Sequence, residues 1–323
     1  MDVYPCIFDP IYVERIWGAR NLEGLFARSL PAGKTIGESW ELADLPGHVS
    51  VVSNGPRAGT DLGELMRSWG PALLGSARPA DDGRFPLLLK LLDANDILSL
   101  QVHPDAEAVS AIGSGAALKT ECWYVLASHD AVIYKGVREG VTPEAFREAI
   151  ASDRCEEVVR RVKIAPGDFH YLPAGTVHAL GAGAVVAEVQ TPSDTTYRVT
   201  DWGRGRETHL ERSMQCIHFG PANETPPGAS GETLLVSEFF TVAKRSARPG
   251  LARSLPEGRC SAMMMLDVPG YAAIHQTSGV ESVTAVRAGQ TILVPAGLSS
   301  PRLVATEQTT WLEITLPEGG LGA

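Results

Sequence analysis

Nothing in this chain is arranged to hold a polyanion, a lipid bilayer or a disulfide framework. Its net charge is −10 and no run of Lys or Arg breaks that balance, so a nucleic-acid partner, whose phosphates would be repelled, is excluded. The longest apolar stretch, Phe85 to Leu100, is interrupted by Lys90, Asp93, Asn95 and Asp96, and no membrane span is expected. Met1-Asp-Val-Tyr-Pro-Cys6 lacks the basic and apolar regions of a signal peptide. The five cysteines, Cys6, Cys122, Cys155, Cys216 and Cys260, are far apart and never form C-x-x-C. Neither a disulfide framework nor a thiolate zinc site is indicated; reduced thiols and a cytoplasmic location are expected. No Gly-rich phosphate loop is visible, although a local basic pocket for one small phosphate remains compatible with the charge.

Turn formers are abundant, with 33 Gly and 22 Pro in 323 residues. They bound short apolar or alternating runs: 86–92, 97–103, 122–127, 131–134, 168–172, 184–190, 233–242, 262–266, 282–286, 291–294 and 310–315. Helical patterns are fewer, over 61–74, 104–112, 142–162 and 208–219. The reading is a mainly β protein with a few packed helices, not a parallel α/β alternation.

An internal echo sharpens this. Pro166-Gly-Asp-Phe-His-Tyr-Leu-Pro-Ala-Gly-Thr-Val-His178 recurs at an offset of 122 as Ala288-Gly-Gln-Thr-Ile-Leu-Val-Pro-Ala-Gly-Leu-Ser-Ser300. Each copy is a Gly turn, a strand and a tight Pro-Ala-Gly turn into the next strand. Val186-Ala-Glu-Val-Gln190 has a looser counterpart in Trp311-Leu-Glu-Ile-Thr315. Where the first copy has His178 the second has Ser300. Two related barrels are expected, the first keeping metal ligands and the second having lost them. The expected domains are 1–220, metal-binding and catalytic with helical insertions, a linker over 221–231, and a degenerate, metal-free domain over 232–323.

The candidate ligands lie in Leu98-Ser-Leu-Gln-Val-His-Pro104, where Gln101 and His103, two apart on a strand, project to one face. Glu121 follows in Lys119-Thr-Glu-Cys-Trp-Tyr124, and His178 ends the first echo. Two imidazoles, a carboxylate and an amide make an open nitrogen and oxygen site suited to Zn, Fe or Mn. Lys90, a charge in an apolar strand, needs a partner or a cavity. Trp17, Trp40, Trp123 and Trp202 read as core or rim packing, and His170 as a residue near the pocket.

The hairpin Gly-x5-Pro-x-Gly-x2-His, Gly167 to His178, resembles the second metal motif of cupins. The wider set resembles the type I mannose-6-phosphate isomerases in their shorter bacterial form. It comprises Gly37-Glu-Ser-Trp-Glu41, Phe85-Pro-Leu-Leu-Leu-Lys-Leu-Leu92, 98–104, 119–124, Pro173-Ala-Gly-Thr-Val-His-Ala179 and Ser193-Asp-Thr-Thr-Tyr-Arg-Val199. The match spans about residues 10 to 220 and is weaker in the C-terminal third. The resemblance implies two cupin-like double-stranded β-helix (jelly-roll) barrels and one Zn2+ per chain on His103, Glu121, His178 and Gln101, the last being the least secure ligand. It implies Arg198 as catalytic arginine, Glu188 as acidic active-site residue, and Ser99, Lys90 and Lys119 as substrate-binding residues, with Lys119 also a catalytic candidate.

The implied reaction interconverts mannose 6-phosphate and fructose 6-phosphate through a cis-enediol. It needs a Lewis acid or cation for charge developing on the oxygens and a base for the carbon-bound proton. For the base the candidates are Glu188, Lys119 with a depressed pKa, or a water on the metal. Glu188 is favoured, because the alternating Val186-Ala-Glu-Val run sets it on one face and a pocket would raise its pKa. The rival readings are isomerisation of unphosphorylated mannose or a related sugar, Fe(II)-dependent oxygenation on the same ligands, and a non-catalytic sugar-binding cupin. A monomer or weak homodimer acting on a small sugar phosphate is expected.

Overall fold

A computed structural model describes residues 3–113, 115–220, 225–278 and 280–319. The chain divides into two compact units, each drawn from separated stretches: 12–39 with 88–225, and 1–11 with 40–87 and 226–323. Residues 1–11 and 40–87 therefore group with the C-terminal stretch, although the sequence reading assigned them to a domain over 1–220. Of the segment read as a linker, 221–224 lie outside the described residues.

The unit containing the candidate ligands is built from two antiparallel sheets. One has the strand order Phe169–Leu172, Glu121–Ser128, Ala184–Gln190, Leu88–Ala94, Ile11–Ala19, Ile36–Leu42, and the other Val159–Lys163, Val132–Val137, His178–Leu180, Leu100–Val102, Tyr197–Thr200. Between the inner faces lies a core that includes Trp17, Leu92, Trp123, Val125, Ile133, Leu172, Leu180 and Val186. A second core packs helices Pro143–Ala151 and Leu210–Cys216 over the outer face of the five-stranded sheet, through Leu100, Val102, Tyr134, Phe146, Val177, Ala179 and Cys216.

These two cores explain where the polar side chains point. Successive strand residues face opposite ways. Since Leu100 and Val102 face the helices, Gln101 faces inward; since Val177 and Ala179 face the helices, His178 faces inward. On the other sheet Lys90 shares parity with the inward Leu92, Glu121 with Trp123, and Glu188 with Val186. Apolar residues that bury themselves thus decide which charged ones line the interior.

The other unit repeats the plan. Its six-stranded sheet runs Cys6–Ile7, Thr291–Val294, Ser261–Asp267, Thr309–Thr315, Thr241–Ala247, Thr233–Val236, and its four-stranded sheet runs Arg253–Ser254, Arg302–Ala305, Ala272–Ser278, Val280–Val286. The repeated motif occupies the equivalent strand in both units. Phe169–Leu172 pairs with Glu121–Ser128, and Thr291–Val294 with Ser261–Asp267. By register Ser261 stands where Glu121 does, since Glu121 pairs with Leu172 and Gln190 and Ser261 with Val294 and Thr315. Glu313 likewise stands where Glu188 does, but Arg245 Nε donates to it at 3.0 Å.

The expected strands are present, most with shifted ends, except that the run 233–242 is a hairpin of two strands, Thr233–Val236 and Thr241–Ala247; two further strands, Ile11–Ala19 and Ile36–Leu42, complete the first sheet. The helix expected over 61–74 is two, Leu62–Trp69 and Pro71–Leu74, parted at Gly70, and the helix expected over 142–162 is shorter. It runs only Pro143–Ala151, started by Thr142, whose hydroxyl accepts from the Ala145 N–H. Asp153 then takes φ 56, a left-handed conformation that ends the helix, and Val159–Lys163 pairs as a strand with Val132–Val137. Among the described residues no helix is long and apolar enough to cross a membrane, and all five cysteines are free and buried.

Candidate metal centre and active site

His103, Glu121 and His178 converge, with one potential ligand atom from each lying within 4.8 Å of the others. All three are buried, at 1%, 0% and 1% exposure. His178 Nε2 is 3.1 Å from Glu121 Oε1, and His103 Nε2 is 3.5 Å from Glu121 Oε2. Each imidazole is oriented from behind: His103 Nδ1 is 2.9 Å from the Thr195 carbonyl and His178 Nδ1 is 2.8 Å from the Thr176 carbonyl. A carbonyl only accepts, so both Nδ1 atoms carry a hydrogen and both Nε2 atoms are turned to the centre, where His103 Nε2 lies 3.1 Å from Lys119 Nζ. Burial, then the neighbouring Lys119, pushes the His103 pKa well down, keeping that imidazole neutral.

The donor set fits a divalent cation. The two Glu121 oxygens are buried and accept no well-formed hydrogen bond, although Lys119 Nζ lies 2.9 Å from Oε2. Burial alone would raise the Glu121 pKa, but Lys119 and the two histidines hold it well below the usual carboxylate range. A buried carboxylate beside two imidazole Nε2 atoms is the kind of donor set a Zn, Fe or Mn site uses. Gln101 is adjacent, its Nε2 3.4 Å from His178 Nε2. A half-turn of its carboxamide brings the oxygen to that position instead.

This cluster lies beside a cavity of about 340 Å³ lined by Gln101, Lys119, Ser99, Lys90, Glu188 and Arg198, and also by Arg15, Trp17, Glu38, Asp194, Thr196 and Arg206. Every residue given a substrate-binding or catalytic role from the sequence therefore lines one pocket, and of the four candidate metal ligands Gln101 lines it too. His170 is not among the lining residues. Glu188 Oε2 accepts from Trp123 Nε1 at 2.8 Å, while Oε1 has no hydrogen bond among the described residues and is 3.6 Å from Lys90 Nζ. Burial above all, and then Glu121, raises the Glu188 pKa against the pull of Lys90 and Lys119. Arg198 is fixed through its backbone, which accepts from the His209 N–H, and through Nη1, which donates to the Glu207 carbonyl at 2.5 Å. Its Nε is buried and has no hydrogen-bond partner among the described residues.

Lys119 departs from one expectation. Burial would lower its pKa, but Glu121 and Glu188 outweigh burial and raise it, so it sits as an ammonium, not as the depressed-pKa base considered above. Of the lining residues given no role from the sequence, Glu38 carried a readable signal. Glu38 lies in Ile36–Leu42, a strand buried along its whole length, and the argument that gave Lys90 a partner or a cavity applies equally to it. Arg15 carried no such signal, because its strand is half-exposed.

Comparison with known proteins bears on this arrangement. Residues 7–134 match the family model for the catalytic domain of type I phosphomannose isomerase. The chain is 41% identical over 256 residues to a probable mannose-6-phosphate isomerase of Bacillus subtilis, covering 75% of this chain and 79% of that one. It is 38% identical over 253 residues to a mannose-6-phosphate isomerase of Streptococcus mutans, covering 73% and 78%. The crystal structure of a Bacillus subtilis mannose 6-phosphate isomerase superposes with a TM-score of 0.82 at 29% identity, covering 97% of this chain and 99% of that one. In sequence and in fold, the chain belongs to the type I phosphomannose isomerase family.

Proposed function

We propose that this protein is an aldose–ketose isomerase that interconverts mannose 6-phosphate and fructose 6-phosphate, using one zinc ion per chain. Family membership supports the reaction, and one observation supports the assignment of roles: Glu188, Lys119, Arg198 and Gln101 line a single cavity, and Lys119 Nζ, 2.9 Å from Glu121 Oε2, ties that cavity to the His103, Glu121 and His178 cluster. His103, Glu121, His178 and Gln101 would hold the metal. When bound, it supplies Lewis acidity toward the substrate's carbonyl and hydroxyl oxygens.

The remaining steps belong to the side chains. Glu188, oriented by Trp123 and left with a free Oε1, takes the proton from C2 of the open-chain aldose and returns it at C1. Its raised pKa brings it nearer the pH at which a carboxylate both accepts and releases a proton. Lys119 donates toward the substrate oxygens as an ammonium, and Arg198 contributes a fixed positive charge to the enediol. Ser99 and Lys90 contact the sugar from the cavity wall. We also propose that the second unit carries no metal, with Ser261 in the register position of Glu121 and Ser300 in place of His178.

The test is a coupled assay of mannose 6-phosphate conversion on protein as purified, after chelation, and after zinc is restored. Turnover lost to chelator and recovered with zinc is expected. A folded, zinc-loaded protein without turnover overturns the reading.

A further inference from the structure

We propose that Arg15 is a specificity-determining residue that selects a phosphorylated sugar by holding its phosphate at the outer end of the cavity. The proposal rests on the isomerase reading and extends it to a residue on the strand Ile11–Ala19.

Exposure orders the charged groups around the pocket by depth. Glu121 is 0% exposed at its side chain and Lys90 and Glu188 are each 4%, whereas Arg15 is 34%. The reacting carbons C1 and C2 belong beside the buried ligand cluster, so C6 and its phosphate extend toward the exposed end. Three guanidinium groups line the cavity, and their commitments differ. Arg206 gives Nε and Nη2 to Asp201, a carboxylate it shares with Arg204. Arg198 gives Nη1 to the Glu207 carbonyl. Arg15 gives only Nε, to Glu38 at 2.8 Å, and its Nη1 and Nη2 make no hydrogen bond among the described residues.

The side chain is also held in place before any ligand arrives. A Cβ at Gly37 would lie 2.5 and 2.7 Å from Arg15 Cβ and Cγ and 2.7 Å from the Trp17 ring, so the glycine is the surface on which the arginine stem rests. Glu38 fixes the other end, and since it also lies 3.8 Å from Lys90 Nζ it does not neutralise both cations. The result is a planar fork with free donors, preorganised in a cavity whose lining carries more cations than carboxylates. That geometry matches the bidentate recognition of a phosphate by arginine, which a lysine cannot reproduce.

Arg15→Gln and Arg15→Lys, both zinc-loaded, would be compared with the wild type using mannose 6-phosphate and mannose as substrates, and inorganic phosphate as a calorimetric ligand. The expected result for Arg15→Gln is a loss in kcat/KM for mannose 6-phosphate of roughly 10- to 100-fold, carried mostly by KM. The preference over mannose narrows by a similar factor, phosphate binds more weakly in parallel, and Arg15→Lys recovers part of the loss. A loss in kcat with KM unchanged, or phosphate binding equal to that of the wild type, overturns the proposal. A wild type that does not bind phosphate at millimolar concentration overturns it as well. If the wild type binds phosphate but isomerises neither sugar, the isomerase reading fails by itself, and the phosphate titration still decides the role of Arg15.

Discussion

Replacing Glu188 with Gln isolates the proton-transfer step from the architecture that holds it. The side chain keeps its shape and its oxygen, so Trp123 Nε1 retains an acceptor at the present 2.8 Å, and Lys90 retains Glu38 at 3.8 Å. What disappears is the basicity of Oε1, the oxygen that accepts no hydrogen bond in the pocket. A general base contributes about 10²- to 10⁴-fold, or roughly 3–5 kcal/mol of barrier. Glu188→Gln is therefore expected to lower kcat by that factor with zinc content unchanged by atomic absorption, and to abolish exchange of the C2 hydrogen with deuterated solvent. Stability provides an independent sign check. A carboxylate whose folded pKa is raised favours folding below its unfolded pKa, and that contribution is lost as pH rises through the folded value. Ionised Glu188 thus costs stability at neutral pH, so the Gln variant melts no lower than the wild type there, and the difference vanishes in acid. A variant that keeps kcat within about tenfold of the wild type, or that still exchanges the C2 hydrogen, refutes Glu188 as the base.

The other expectations concern the metal, the arginine, the pH profile and the glycine contact. His103→Ala and His178→Ala remove zinc and activity together, which metal analysis and the coupled assay report side by side; Arg198→Ala retains zinc and loses kcat, and intact turnover there would contradict its role. Lys90→Met removes a cation that lowers the Glu188 pKa. The base works when deprotonated, so the acid limb of the kcat/KM profile moves to higher pH. Gly18→Ala places a Cβ 2.5 Å from the Gly37 backbone nitrogen, which cannot move aside as a flexible side chain can; a loss of about 1–3 kcal/mol lowers the melting temperature measured by circular dichroism. Ser300→Ala leaves isomerisation unchanged.

How much of this was legible beforehand depended on the kind of signal. Period-2 alternation and Pro-Ala-Gly turns are local, and they located Ala184–Gln190 and Thr291–Val294 to the residue. The echo at offset 122 also survived folding, since Phe169–Leu172 and Thr291–Val294 occupy equivalent places in their sheets. The strands Ile11–Ala19 and Ile36–Leu42 were not read, because one is half-exposed and the other carries Glu38 and Glu41 within a buried run. The helix over 142–162 was read too long, because nothing in the composition of Ser152-Asp153 announces the left-handed Asp153 that ends it.

The sequence by itself determined which residue types were available for chemistry and which face of its strand each occupies, because side-chain parity is a property of the local backbone. Parity put Gln101 and His103 on one face and favoured Glu188, while motif context supplied Glu121 and His178, and a charge in an apolar run singled out Lys90. The tertiary structure alone decided what each one meets. Packing of the two sheets face to face brought Glu121 and His178 to 3.1 Å from strands far apart in the chain, and the tertiary fold turned each His Nδ1 to a backbone carbonyl and made Lys119 an ammonium by placing it against two carboxylates. It also carried Arg15 and Glu38 to the same cavity. Distances and burial between residues remote in sequence set these interactions, and both come into existence only when the strands have paired.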